Sequence, residues 1–379
     1  MTRNTIIVNG INLAGKGPRV TLKQKFSKLG LVTSESLVGR GVEPGIASIL
    51  AGTANFGLSN NTWESYQCII SNLRRCQEAK GQSMDLPFTL VKMLTFTGWM
   101  IERGLKASSM NSYISALRMY HIAMGYNEPV LRDPIVKLIL KGKSNWDAVK
   151  KKIAGEVGRL PVTSLVLKMI KRNALKATYD PEEKIILWAI CTVLWCGSFR
   201  VHEIVSRYKC EYDPQSTLLW EDIKVSKVTL NGEAVTALGF RLKSPKVDRV
   251  GTGDYVEIYE TGLYNCPVKA FLKWRGASGV SGDPKMPVFR IKEGCCYTSQ
   301  QLNMRLGELT RDLKEHIKGG EITSHSFRAG VASEMCRAGY SESDIQAVGR
   351  WASGSQAYKL YCKLPRMHRA RMARNIACL

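Results

Sequence analysis

His325-Ser326-Phe327-Arg328-Ala329-Gly330, followed by Gly349-Arg350-Trp351 and then Ala357-Tyr358-Lys359-Leu360-Tyr361, is the stretch on which the reading of this chain turns. An imidazole, a guanidinium, an indole N–H and a phenol all fall between positions 325 and 361. Arginine presents a rigid fork of donors matched to phosphate oxygens, while histidine and tyrosine exchange protons or attack. No acidic cage for a metal lies nearby in the sequence. The set suits metal-free phosphoryl transfer with tyrosine as nucleophile. Alone it is a weak signal, because His-x-x-Arg is also an ordinary helix-start pattern. Its weight comes from the rest of the chain.

The charge points the same way. Of 379 residues, 55 are Lys or Arg and 32 are Asp or Glu, a formal net charge of +23. The excess is spread over the whole chain, which favours a polyanionic partner, and nucleic acid over membrane. The longest apolar run, 185–197, is too short to span a bilayer and reads as a buried helix. The first twenty residues carry no continuous apolar core of the secretory kind. Eleven cysteines are scattered with no Cys-x-x-Cys, and only Cys295-Cys296 are adjacent. That argues for a reducing compartment and against a disulfide scaffold or zinc ribbon. Five dispersed histidines give no metal-ligand spacing, and no Gly-rich Walker loop implies ATP. No cofactor or metal is expected.

The elements group into regions. Residues 1–58, rich in Gly, Ser and Thr with a basic patch from Arg19 to Lys28, read as a loosely structured arm of unassigned role. Over 59–142 four amphipathic helices are predicted: Trp63 to Leu73, a second after Pro87, Ser108 to His121, and a fourth after Pro134. His121 lies on the apolar stripe and reads as a core or edge residue. Residues 143–160, with Lys150-Lys-Lys152, Gly155 and Gly158, read as a basic linker, either a tether crossing a phosphate backbone or an ordinary solvated connection.

From 161 onward helices are predicted at Thr163–Ala177 and Pro181–Cys196, the latter stopped by Gly197. Strands follow near 220–225, 235–242 and 254–259, with Asn231-Gly232 marking a hairpin turn. Pro267 opens another helix, and 298–317 reads as one long helix. The fold class is mainly α (α+β), an all-α four-helix domain followed by a mixed domain with a small antiparallel sheet.

With those residues quoted, the chain resembles the tyrosine recombinase (phage-integrase) family. Residues 59–142 resemble its core-binding domain and 161–379 its catalytic domain. Lys246-Val-Asp248, Cys266-Pro-Val268, His325-Ser-Phe-Arg-Ala-Gly330 and Gly349-Arg-Trp351 look closest to transposon-borne members of the Crypton and DIRS-like type. The resemblance implies that Arg200 and Arg328 clamp a scissile DNA phosphate, with Glu203 supporting Arg200. It implies Lys246 as the hairpin lysine that protonates the leaving 5′ oxygen, and His325 as the proton acceptor. Trp351 would stand where many members carry histidine, and Tyr361 would be the nucleophile. Lys243 lies three residues before Lys246, and Tyr358 one helical turn before Tyr361, so each remains an alternative.

The activity so implied is site-specific recombination through a 3′-phosphotyrosine intermediate, for integration or excision of a mobile element. A type IB topoisomerase and a non-cleaving DNA-binding relative are the rivals. The implied partners are double-stranded DNA and three further copies of the chain. A homo-tetramer would form on DNA by exchange of the apolar-basic tail 362–379, with no membrane involved. The location expected is the nucleus of a eukaryotic host, or otherwise the nucleoid.

Overall fold

The computed structural model describes residues 7–8, 11–12 and 33–360, apart from 56–59, 84, 125, 127–128, 156–158, 244–252, 280–282, 292–294, 317–319 and 353. The chain divides into two compact units, Met1–Ala154 and Gly155–Leu379.

The first unit is helical: α1 (Ser34–Val38), α2 (Pro44–Asn55), α3 (Asn60–Ala79), α4 (Leu90–Glu102), α5 (Ala107–Ala123) and α6 (Pro134–Ile153). Its core is the apolar stripe of four of these helices: Ile70, Leu73 and Cys76 of α3, Met93, Phe96 and Met100 of α4, Met110 and Leu117 of α5, Val136 and Leu140 of α6. Caps fix the ends. The Thr89 hydroxyl accepts from the Lys92 amide at 3.3 Å and opens α4. Asp133 accepts from Ile135 N at 2.8 Å, just ahead of Pro134 at the start of α6. His121 is a satisfied core residue. Its Nε2 accepts from Phe88 N at 3.0 Å, and Nδ1 lies 2.8 Å from Leu117 O.

Two sequence expectations change here. Within 1–58, expected to be a loosely structured arm, 34–38 and 44–55 form α1 and α2, which bury little beyond Ala47 and Ala51. The expected tether from 143 is helical through Ile153. Lys143 and Asp147 pair one turn apart, and Asp147 Oδ2 accepts from Ala107 N at 2.8 Å, which ties the basic stretch to the start of α5.

The second unit holds α7 (Ser164–Lys176), α8 (Pro181–Cys196), the single turn α9 (Val201–Ile204), β1 (Ile223–Leu230), β2 (Glu233–Leu242) and β3 (Asp254–Tyr259). After the sheet come α10 (Pro267–Ala277), α11 (Ser299–Leu309), α12 (Arg311–His316), α13 (His325–Ala338) and α14 (Glu342–Gly349). α8 is the axle, with Ile186, Leu187, Ile190, Val193 and Leu194 all at 0–1% exposure. A helix buried on every side packs between neighbours rather than against one face. The sheet is antiparallel in order β1-β2-β3, with Leu230 opposite Glu233 and Leu242 opposite Asp254. Asn231 and Gly232 both take positive φ, at 52° and 84°, as a tight hairpin turn requires.

The long helix expected over 298–317 is broken. α11 stops at Thr310, whose hydroxyl donates to Leu306 O at 2.6 Å, and α12 starts afresh. Gly330 marks a close approach. A Cβ there would lie 1.9 Å from the carbonyl oxygen of Val162, whose amide donates to Ser326 O at 2.8 Å. The chain entering this unit is thereby laid directly across α13.

Candidate active site

The site is built from the turn that follows α8. Gly197 ends the helix, and Ser198 then adopts φ +47°, a left-handed conformation unusual for a residue with a side chain. The turn buries Phe199 and sends Arg200 into the N-cap position of α9. Glu203, three residues on, folds back. Its Oε2 accepts from the Arg200 backbone amide at 2.8 Å and its Oε1 from Arg200 Nη1 at 2.8 Å. The Glu203 side chain is 7% exposed, so this is a largely desolvated pair rather than a surface one.

Arg328 arrives from the first turn of α13, on the same face as His325. It is 8% exposed. Its Nη1 donates to Ser198 O at 3.2 Å and its Nη2 to Gly349 O. The guanidinium carbon stands 4.4 Å from the centroid of the Trp351 ring. Gly349 leaves room for that ring, since a Cβ there would fall 1.6 Å from it. The start of α13 is held by Asn303, whose Oδ1 accepts from Ser324 N at 2.8 Å. His325 is exposed at this start. His202 is near enough to matter to it: burial first, then the charges of Arg207 and His325, push the His202 pKa below its ordinary value.

The structure therefore brings Arg200, Glu203, Arg328 and Trp351 into one connected network and sets His325 at the helix start that feeds it. Lys246 and Tyr361 lie outside the described residues. Their alternatives do not. Lys243 Nζ is bound 2.6 Å from Asp222 Oδ2 and donates to Pro214 O at 3.0 Å. Tyr358 is 1% exposed, packs its ring against Trp351 at 6.1 Å between centroids, and donates its hydroxyl to Glu342. That hydrogen bond to a carboxylate, with burial next, raises its pKa and makes its phenolate harder to form.

Two members of the network were not among the site residues expected from the sequence. Ser198 contributes its carbonyl, not its side chain. Arg350 is half hidden behind the motif that contains it. It takes φ +49° and ψ +46°, closes α14, and donates Nη2 to Glu203 Oε2 at 2.7 Å and to Ser198 O at 3.4 Å. Among the described residues, no group of three or more His, Cys, Asp or Glu could hold a metal ion, and no helix is long and apolar enough to cross a membrane.

No protein-family model matches the chain, and no curated protein matches it significantly. Solved structures do share its architecture. The XerH site-specific recombinase bound to palindromic difH substrate is 12% identical and aligns with TM-score 0.54, covering 94% of this chain and 90% of that one. The Tn1549 transposon integrase in complex with circular intermediate DNA is 14% identical, with TM-score 0.53, covering 84% of this chain and 94% of its own. A lambda integrase dimer bound to a COC′ core site is 16% identical, with TM-score 0.52 over 92% of this chain and 82% of that one. The chain has the tyrosine recombinase fold.

Proposed function

We propose that this protein is a site-specific DNA recombinase that cuts and rejoins double-stranded DNA through a 3′-phosphotyrosine at Tyr361, in the service of a mobile element. One observation carries the reading most. Two arginines more than a hundred positions apart in sequence, Arg200 and Arg328, are fixed by one set of anchors: Glu203, Arg350 and the Ser198 carbonyl. Such a fork pair is what a phosphodiester transition state needs, since charge gathers on its non-bridging oxygens.

Trp351 stacks on Arg328 and adds an indole N–H to that site. His325 accepts the Tyr361 proton, because an unperturbed phenol with pKa about 10 needs a nearby base at neutral pH. Lys246 delivers a proton to the 5′ oxygen. The engagement of Lys243 with Asp222, and of Tyr358 with Glu342, favours Lys246 and Tyr361 over their neighbours. The free 5′-hydroxyl of a second duplex then attacks the 3′-phosphotyrosine, forming a new phosphodiester and displacing Tyr361, while its proton returns to the phenolate oxygen through His325. The working form is a tetramer on two DNA sites with 362–379 exchanged between subunits, acting in the nucleus or nucleoid of its host. The DNA partner is supported by the net charge of +23.

The test is covalent trapping on a pool of nicked duplexes of randomised sequence, resolved under denaturing conditions and sequenced. Wild-type protein is expected to yield adducts at a restricted set of sites, and Tyr361→Phe none, with DNA binding retained. Adducts that persist in Tyr361→Phe and vanish in Tyr358→Phe move the nucleophile. A wild type that binds DNA and never forms an adduct overturns the reading in favour of a non-cleaving protein.

A further inference from the structure

Arg350 holds a position that its own chemistry disfavours three times over. Its backbone is left-handed, where glycine is the natural occupant. Its side chain is only 15% exposed, and burial lowers its pKa against the pull of Glu203 and Asp254. Its Nε and Nη1 are buried without a hydrogen-bond partner among the described residues. A backbone outlier of this kind persists where the surrounding structure needs what its side chain does.

What the side chain does is occupy Glu203. Oε1 of that carboxylate takes Arg200 Nη1, while Oε2 takes the Arg200 amide and Arg350 Nη2. A carboxylate gripped on both oxygens from two sides cannot rotate. Arg350 also reaches the Ser198 carbonyl that receives Arg328. On its far side, Nη1 lies 4.0 Å from Asp254 Oδ2, at the first residue of β3, the strand that follows the 244–252 segment carrying Lys246. Resting on the function proposed above, we propose that Arg350 is a positioning residue. It holds Glu203 so that Arg200 presents its fork in one fixed direction, in register with Arg328.

The decisive variant is Arg350→Gly, because glycine relieves the left-handed backbone while removing the brace. Its thermal midpoint is expected to stay near that of wild type and its DNA affinity to change less than about twofold, since no phosphate contact is lost. Single-turnover cleavage of a nicked duplex is expected to fall by up to about a hundred-fold, the scale of a misdirected catalytic group. Arg350→Lys, which keeps a charge near Glu203, is expected to recover part of that loss. Glu203→Gln combined with Arg350→Gly should be no slower than the slower single variant, because both remove one device.

A readout that needs no cleavage separates this idea from the function it rests on. Guanidinium NMR of Arg200 in the free protein should show slowly exchanging Nη protons in wild type and fast exchange in Arg350→Gly. Unchanged Arg200 exchange, wild-type cleavage by Arg350→Gly, or multiplicative losses in the double variant would each overturn the inference. So would a loss of stability that fully accounts for the loss of rate. A wild type with a protected Arg200 that never cleaves DNA would refute the recombinase reading and leave the brace intact.

Discussion

Two carboxylates in the second unit each hold a pair of cations, yet they sit in differently made surroundings. Asp222, with its side chain fully buried, accepts Arg241 Nε and Nη2 at 3.0 and 2.8 Å on Oδ1. On Oδ2 it takes the Leu219 amide at 2.9 Å and pairs with Lys243 at 2.6 Å. It staples the foot of β2 to the turn before β1, and no residue of that staple has positive φ. Glu203 binds two guanidiniums with comparable geometry, but one of them, Arg350, is left-handed, as is Ser198, whose carbonyl Arg350 also reaches. Among the described residues the only other non-glycine with positive φ is Asn231, in a hairpin turn that calls for it. Similar charge chemistry serves both places, and the backbone strain is concentrated at one of them. Strain of that kind clusters at active sites and ligand clamps, and the function proposed above puts it to that use.

The contrast can be attacked from both sides, starting with the largest effect. Lys246→Ala should slow cleavage of an ordinary phosphodiester by about a thousand-fold, as loss of a general acid does, and barely affect a 5′-thio substrate whose leaving group needs no proton. Lys243→Ala should instead lower stability with its cleavage rate nearly intact. Equal slowing by Lys246→Ala on both substrates would transfer the role elsewhere. Next, Arg328→Lys should cost about a hundred-fold in adduct formation, because one ammonium cannot serve Ser198 O, Gly349 O and a phosphate together. A Lys variant within a few-fold of wild type would show that the fork geometry is unnecessary.

Asp222→Asn should destabilise the unit by about 1–3 kcal/mol, the cost of weakening charge-assisted bonds at a buried carboxylate whose Arg241 partner is 59% exposed, read by denaturant unfolding. Cleavage per folded molecule should be unchanged. A rate loss at intact stability would erase the distinction between the two carboxylates. The smallest effect concerns His202. Its folded pKa lies below the ordinary 6.5, so its contribution is fully present above that value and is lost as pH falls through the lowered one. His202→Gln should flatten the acid-side decline in thermal midpoint between neutral pH and the acid limb. An unaltered profile would assign that decline to other groups.

Much of the fold was legible, and the reason is local. Asp180 accepts from Glu182 N at 2.8 Å ahead of Pro181, and Gly197 caps the far end, so α8 carries its start and stop in its own sequence. The Asn231-Gly232 turn is equally self-announcing. The helices at 34–38 and 44–55 were missed because Gly, Ser and Thr signal loop, while a helix that buries only two alanines shows no stripe. The helix beyond 143 was misread because lysine and glycine suggest a tether, and its anchor, Ala107, lies far back in sequence. In the site, Arg200, Glu203, Arg328 and Trp351 carried motif spacing. Ser198 and Arg350 did not, because a serine carbonyl and a left-handed arginine have no pattern of their own.

The network has a consequence for the order in which its parts come together. Its ties span 130 residues from Arg328 to Ser198 and 152 from Arg350 to Ser198. Synthesis runs from the N-terminus, and contacts this distant in sequence close only after the chain between them exists. A chain still being made, or one cut short before position 349, holds the local Arg200–Glu203 pair but not its brace. It also lacks the Gly349 carbonyl that orients Arg328. The braced arrangement of Arg200, Glu203 and Arg328 thus closes last, and on the function proposed above cleavage competence waits for that closure.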